Sequence, residues 1–185
     1  GNYVPMAGAA AQIPCAAGSY QPSLGQSSCI LADPGHYVPT EQSQTQSECL
    51  LGTFQAYSGS SSCSDAEPGH YVDSNGSSSQ TDCPPTTYNP ATGSDDRDDC
   101  IDVGPGHYSD EWGTAEQLEC AFGTYQPNSG QMSCIDADSG HFVASSGATS
   151  QSACPAGTYN PSEASGSAAD CTPADLGHYV GNQAS

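Results

Sequence analysis

Ten cysteines, five histidines and a large set of carboxylates are the residues of this 185-residue chain that could do chemistry. The cysteines stand at 15, 29, 49, 63, 83, 100, 120, 134, 154 and 171, so that successive steps run 14, 20, 14, 20, 17, 20, 14, 20 and 17. Thiols so placed either bind zinc or form disulfides. Zinc fails, because no Cys-x-x-Cys occurs and the spacings do not bring four ligands together in sequence. The even count points to five disulfides and hence to an oxidising, extracellular or cell-surface compartment.

All five histidines, His36, His70, His107, His141 and His178, share one repeat position. Such a column could bind metal or sense pH. One His per repeat is too sparse for metal unless repeats or chains converge, and a ring packed beside the following aromatic accounts for it. A carboxylate stands three residues ahead at Asp33, Glu67, Asp138 and Asp175, with Gly104 in the remaining repeat. With backbone carbonyls these form a candidate calcium set; no other cofactor is implied. The run Asp95-Asp96-Arg97-Asp98-Asp99 lacks the order of a calcium loop, and a solvated acidic surface is the simpler reading. There is no Lys, no HExxH, no G-x-S-x-G and no phosphate loop, so the chain is not read as an enzyme.

The elements that must position these residues repeat with the cysteines. First halves read CAAGSYQPSLGQSSC, CLLGTFQAYSGSSSC, CPPTTYNPATGSDDRDDC, CAFGTYQPNSGQMSC and CPAGTYNPSEASGSAADC. Second halves read ADPGHYVPTEQSQTQSEC and its three counterparts, with a further copy begun at ADLGHYV. The boundaries are residues 1–14 for a partial repeat, then 15–48, 49–82, 83–119, 120–153 and a truncated 154–185. Each repeat is one hairpin unit of 17 residues duplicated, the second copy lacking its own first cysteine. The rings Tyr20, Phe54, Tyr88, Tyr125 and Tyr159, with Tyr37, Tyr71, Tyr108, Phe142 and Tyr179, are expected to stack over the disulfides as the main apolar surface. Gln12, Gln46, Gln80, Gln117 and Gln151 each precede a cysteine by three and are expected to bond backbone between neighbouring repeats. Gly, Pro and Ser punctuate every window, which argues against helix.

Composition sets the rest. Leu, Ile, Val and Phe make up only about a tenth of the chain, and the net charge is −20 with Arg97 as the single cation. Segments this short need staples to fold. The fold class expected is a small disulfide-rich, mostly β and irregular protein, an elongated solenoid-like array of hairpins with no globular core. Nucleic acid is excluded as a partner, and no apolar stretch is long enough to insert in a membrane. Residue 1 is Gly and no leader is visible, so the chain reads as a mature or excised segment. Asn75-Gly76-Ser77 is the single N-glycosylation sequon, and Ser-rich tips could carry further glycans. Trp112 stands in a turn where other repeats have Asn or Ser and is a contact candidate.

If neighbours pair, bridging across the shorter step joins Cys15–Cys29, Cys49–Cys63, Cys83–Cys100, Cys120–Cys134 and Cys154–Cys171 and uses every cysteine. Bridging across the 20-residue step strands Cys15 and Cys171, so the first register is preferred. The element C-x-x-G-x-[YF]-x-P-x-x-x-x-S-x-C, at Cys15–Cys29 and Cys120–Cys134, resembles the first module of TNF-receptor-like and ephrin-receptor-like cysteine-rich repeats. The resemblance implies the same short-step pairing. That family usually has a further cysteine where Ala32, Ala66, Val103, Ala137 and Ala174 stand, so growth-factor-type ligand binding does not carry over. The reduced form resembles repeats of extracellular arrays. The function expected is a structural subunit of an extracellular filament or surface appendage, its partners copies of itself end to end. The alternatives are a receptor or adhesin ectodomain and a calcium-stiffened stalk.

Overall fold

The computed structural model describes residues 1–180. Among these, regular structure consists of ten two-stranded antiparallel hairpins and two single turns of 3₁₀ helix. The hairpins are numbered in chain order. Hairpin 1 pairs Asn2–Tyr3 with Ile13–Pro14, hairpin 2 Ser19–Tyr20 with Ile30–Leu31, and hairpin 3 His36–Tyr37 with Ser47–Glu48. Hairpin 4 pairs Thr53–Phe54 with Ser64–Asp65, hairpin 5 His70–Tyr71 with Thr81–Asp82, and hairpin 6 Thr87–Tyr88 with Ile101–Asp102. Hairpin 7 pairs His107–Tyr108 with Leu118–Glu119 and hairpin 8 Thr124–Tyr125 with Ile135–Asp136. Hairpin 9 pairs His141–Phe142 with Ser152–Ala153 and hairpin 10 Thr158–Tyr159 with Thr172–Pro173. The tandem hairpin fold expected from the sequence is the one observed.

A two-residue pair cannot stand alone in water. Here the main chain of each hairpin bonds its successors. Gly18 N–H donates to the Val38 carbonyl at 2.8 Å, and Gln21 N–H to the Ser43 carbonyl at 3.1 Å, which ties hairpin 2 to hairpin 3. The same two bonds recur from hairpin 4 to 5, as Gly52 to Val72 and Gln55 to Ser77. A third reaches the hairpin after next, where Gly59 N–H at the tip of hairpin 4 donates to the Ala32 carbonyl behind hairpin 2 at 2.8 Å. Each such bond contributes about 1 kcal/mol net, and their regular recurrence replaces a globular core.

So close a backbone approach dictates small residues. A Cβ on Gly18 would run into the Gly59 carbonyl, and one on Gly35 into that of Gly76. Both glycines also sit at positive φ, 85° and 80°, a region other residues enter at a cost. The residue closing each of hairpins 1 to 8, Cys15, Ala32, Cys49, Ala66, Cys83, Val103, Cys120 and Ala137, is fully buried. The residue after each ring forms a second buried line that includes Gln21, Val38, Val72, Asn89, Ser109, Gln126, Val143 and Asn160. The rings are not the core that the sequence suggests. Only Tyr71 among them is buried, at 8 % exposure. Backbones at hydrogen-bonding distance leave room at the closing positions for Cys, Ala or Val, and the larger rings lie mostly at the margins.

By packing, the described chain falls into two compact units. One comprises hairpins 1–5 with the tip of hairpin 6, residues 89–100; the other comprises the paired strands of hairpin 6 with all that follows. The three-residue insertions of the longer cysteine loops form the two 3₁₀ turns, Arg97–Asp99 and Ala168–Asp170. Asp96 and Ser167 cap them, and Asp99 and Asp170 complete the capping boxes, satisfying donors that a short turn would leave open.

Candidate functional site

The sites built by this sequence are the closures at the base and tip of each hairpin, and they come in two alternating kinds. In hairpins 2, 4, 6, 8 and 10 the base is closed by a disulfide: Cys15–Cys29, Cys49–Cys63, Cys83–Cys100, Cys120–Cys134 and Cys154–Cys171. Their Cα–Cα separations of 5.6 to 5.7 Å lie at the preferred value. Each closes a loop whose constraint stabilises the fold by about 3 kcal/mol in the chain-entropy view.

In hairpins 3, 5, 7 and 9 the same base is closed by an amide. Asp33 N–H donates to Gln46 Oε1 at 2.8 Å, and Gln46 Nε2 donates to Asp33 Oδ2 at 2.8 Å. Gln80 holds Glu67 in the same way at 2.8 and 3.2 Å. Gln151 holds Asp138 likewise, its Oε1 accepting from the backbone at 2.7 Å and its Nε2 donating to the carboxylate at 2.6 Å. Gln117 makes only the backbone half, accepting from Gly104 N–H at 2.8 Å, because Gly104 offers no carboxylate. These glutamines therefore act inside their own hairpin and not between neighbours. Three of the four carboxylates singled out for calcium, Asp33, Glu67 and Asp138, are the other half of this clamp. Among the described residues no three His, Cys, Asp or Glu converge on a point that could hold a metal. Asp175 is exposed behind hairpin 10, where its carbonyl accepts from His178 N–H.

The histidines line up on the first strands. Nδ1 of His36, His70, His107 and His141 faces the carbonyl two residues earlier at 3.0 to 3.3 Å. Nε2 of His70 lies 3.0 Å from Asp82, its cross-strand partner, and that of His36 lies 4.0 Å from Glu48. Each ring is thus engaged within its own hairpin.

The tips of the disulfide hairpins depend on residues whose role the sequence reading missed. Gln21 is 6 % exposed; its Nε2 donates to the Ser28 carbonyl at 2.8 Å and its Oε1 accepts from Ser23 N–H at 3.0 Å. Gln55 and Gln126 repeat this. Where the cysteine loop is longer, Asn replaces Gln. Asn89 Nδ2 donates to Ser94 Oγ at 2.8 Å and to the His70 carbonyl of the preceding hairpin at 3.1 Å. Asn160 does the same with Ser165 and His141. The signal lay in the pairing of Asn with the 17-residue step. The longer loop folds back and brings a serine hydroxyl within reach of the shorter amide.

Asn75 is exposed at the tip of hairpin 5, and its Oδ1 accepts from Leu51 N–H at 3.1 Å. Trp112 is 65 % exposed at the tip of hairpin 7. A shallow cleft of about 330 Å³ between hairpins 1 and 2 is lined by Tyr3, Pro14, Ala16, Ser19, Ser28 and Cys29.

Two stretches of these alternating hairpins also match a known family. The family model described as tyrosine-protein kinase ephrin type A/B receptor-like matches residues 1–49 and 106–154, more than half of the chain. The chain belongs to this ephrin-receptor-like repeat family. Both matched segments open on the glycine before a first strand and end on the cysteine closing a hairpin, so each spans three hairpins with the disulfide-closed one in the middle. Hairpins 4 to 6, with the first insertion, lie between the two ephrin-receptor-like segments. No curated protein sequence matches the chain.

Proposed function

We propose that the chain is a structural repeat segment of an extracellular filament or cell-surface appendage, working through its architecture and not through catalysis. The observation that supports this best is the backbone ladder. Neighbouring hairpins are joined by main-chain bonds such as Gly52 to Val72, and others such as Gly76 to Cys49 reach the hairpin after next. Such bonds run between backbones and recur wherever the close-approach glycines recur, so the array extends by repetition and its stability accumulates from neighbour to neighbour. The side chains that could do chemistry are spent on closing hairpins. Five disulfides and no free cysteine suit an oxidising exterior, and the ephrin-receptor-like family is a non-catalytic repeat family.

Electron microscopy of undenatured native material tests the reading. Filaments or stalks that lose order in dithiothreitol are the expected result, and isolated short particles in native material would overturn it. A second reading, a receptor or adhesin ectodomain, is favoured by exposed Trp112, which departs from the repeat pattern.

A further inference from the structure

Asn75-Gly76 is the one Asn-Gly pair in the chain, and its asparagine is exposed at the tip of hairpin 5. Such a pair is chemically fragile, because asparagine loses its amide spontaneously and glycine has no Cβ to hinder its own nitrogen. In that reaction the main-chain nitrogen of Gly76 gives up its proton to solvent and attacks Asn75 Cγ. An N–C bond forms, the Cγ–Nδ2 bond breaks, and the amide nitrogen takes a proton from solvent and leaves as ammonia. Solvent water then opens the cyclic imide to Asp or to isoaspartate. Asn89 and Asn160 precede proline, which has no N–H to lose, and Asn2 and Asn128 precede residues that carry a side chain.

The fold holds both reacting groups of Asn75-Gly76. Gly76 N–H donates to the carbonyl of Cys49, the closing residue of hairpin 3, at 2.8 Å, so the proton that must leave is engaged. Asn75 Oδ1 accepts from Leu51 N–H at 3.1 Å, which fixes the amide that must turn onto the Gly76 nitrogen. Both anchors lie in residues 49–51, and Cys49 is itself held by its disulfide to Cys63. Exposure leaves Asn75 open to water, so its protection rests on these bonds. The tip backbone does not require asparagine there: Leu24, Ser58, Thr92, Trp112, Ser129 and Ser146 precede the equivalent glycines.

We propose that Asn75-Gly76 is a deamidation site gated by the repeat ladder, closed while the tip of hairpin 5 is seated on residues 49–51 and reactive once that tip lifts. The product makes the opening permanent. Isoaspartate routes the main chain through the side-chain carbon and lengthens it by one atom, so Gly76 N–H no longer meets the Cys49 carbonyl in register. Lifting of the tip, by tension on the array or by reduction of Cys49–Cys63, thus leaves a covalent mark. The reaction belongs to chains whose Asn75 Nδ2 carries no glycan, and it does not depend on the filament proposed above.

The test incubates the unglycosylated chain, disulfides intact, in mildly alkaline buffer and follows Asp and isoaspartate at residue 75 by peptide mapping and mass spectrometry. The same chain reduced and held in urea gives the ungated rate. The native chain is expected to react at least about tenfold more slowly, since two hydrogen bonds must first break. Leu51→Pro removes one anchor and is expected to raise the native rate about fivefold; proline already stands at the equivalent Pro85 two residues after Cys83. Leu51→Ala keeps the N–H and is expected to react like the native chain. Asn128 in hairpin 8 is the reference, with a rate unchanged by Leu51→Pro. The inference is overturned by a native rate equal to that in urea, or by Leu51→Pro reacting no faster than Leu51→Ala. Equal acceleration at Asn128 would mean general loosening of the array and overturn it equally.

Discussion

Gln46 stands in hairpin 3 where Cys29 stands in hairpin 2: each directly precedes the second strand, and each closes its loop fourteen residues after a fully buried residue, Ala32 or Cys15. Cys29 reaches Cys15 itself, whereas Gln46 reaches Asp33, the neighbour of Ala32, through two hydrogen bonds. The array thus alternates covalent and hydrogen-bonded closures on one backbone plan.

Removing the amide closure should act locally. Gln46→Ala deletes both bonds and is expected to destabilise hairpin 3 by about 1 to 2 kcal/mol, the net worth of two solvent-exposed hydrogen bonds. Gln117→Ala removes only the bond to Gly104 N–H and is expected to cost about 1 kcal/mol or less. Amide hydrogen exchange at Asp33 and Gly104 measures both. Equal loss of protection at the two sites would show that the carboxylate contributes nothing.

Equivalence of the closures predicts that one can replace the other. Ala32→Cys with Gln46→Cys places thiols at the positions that Cys15 and Cys29 hold one hairpin earlier, where the Cα atoms lie 5.7 Å apart. Air oxidation should form a sixth disulfide, seen as the loss of two hydrogens by mass spectrometry and a peptide map joining 32 to 46. The gain expected is about 3 kcal/mol for a loop of this length, less the lost clamp. Two persistently free thiols would show that the two bases differ in geometry.

Thr86 occupies the place of the glycine that precedes every other first strand, yet keeps its left-handed backbone at φ 78°. A β-branched residue there costs about 1 to 2 kcal/mol. Thr86→Gly is therefore expected to raise stability by about 1 kcal/mol after the greater freedom of unfolded glycine is offset. Urea unfolding followed at Tyr88 would measure it, and a destabilised variant would mean that the Thr side chain makes a contact worth more than the strain.

The cysteine interval made the hairpin count, the turn glycines and the fold class legible, because those depend on local sequence and recur. What stayed hidden depends on contacts between hairpins. The rings looked like the core because they are large, but the carbonyl of Gly59 facing Gly18 sets a close spacing, and the fully buried closing positions hold only Cys, Ala and Val. Gln46 is visible as a strict repeat, while its partner Asp33 lies thirteen residues away and nothing local joins the two. Gln21 and Asn89 follow a ring in the sequence like any turn residue, and nothing local marks them as buried.

Asn75 is placed to carry a glycan without loss of its structural bond. Its Oδ1 holds Leu51 N–H, and the Nδ2 atom to which a glycan attaches is not used by that bond. Expression in a eukaryotic secretory host should give a product whose mass falls on treatment with peptide-N-glycosidase, and Asn75→Gln should abolish the shift. An unmodified product from that host would remove the site from consideration.

Asn89 tests whether the tip amides are structural. It is 1 % exposed, and three groups depend on it: Ser94 Oγ, the His70 carbonyl and Ala91 N–H. Asn89→Ala leaves these without the partner that burial requires, so the expected cost is about 2 to 3 kcal/mol, at the upper end for an unsatisfied buried group. The damage should fall on the tip of hairpin 6, where the 3₁₀ turn at Arg97–Asp99 leads into Cys100. Limited proteolysis with trypsin reports on it directly, because Arg97 is the only tryptic site in the chain. The disulfide Cys83–Cys100 would hold the fragments together until reduction, so cleavage is read on a reducing gel. Faster cutting in Asn89→Ala than in the native chain, with hairpin 2 amides still protected, is the outcome expected. Unchanged cutting would mean that the capping box orders the loop without help from the buried amide.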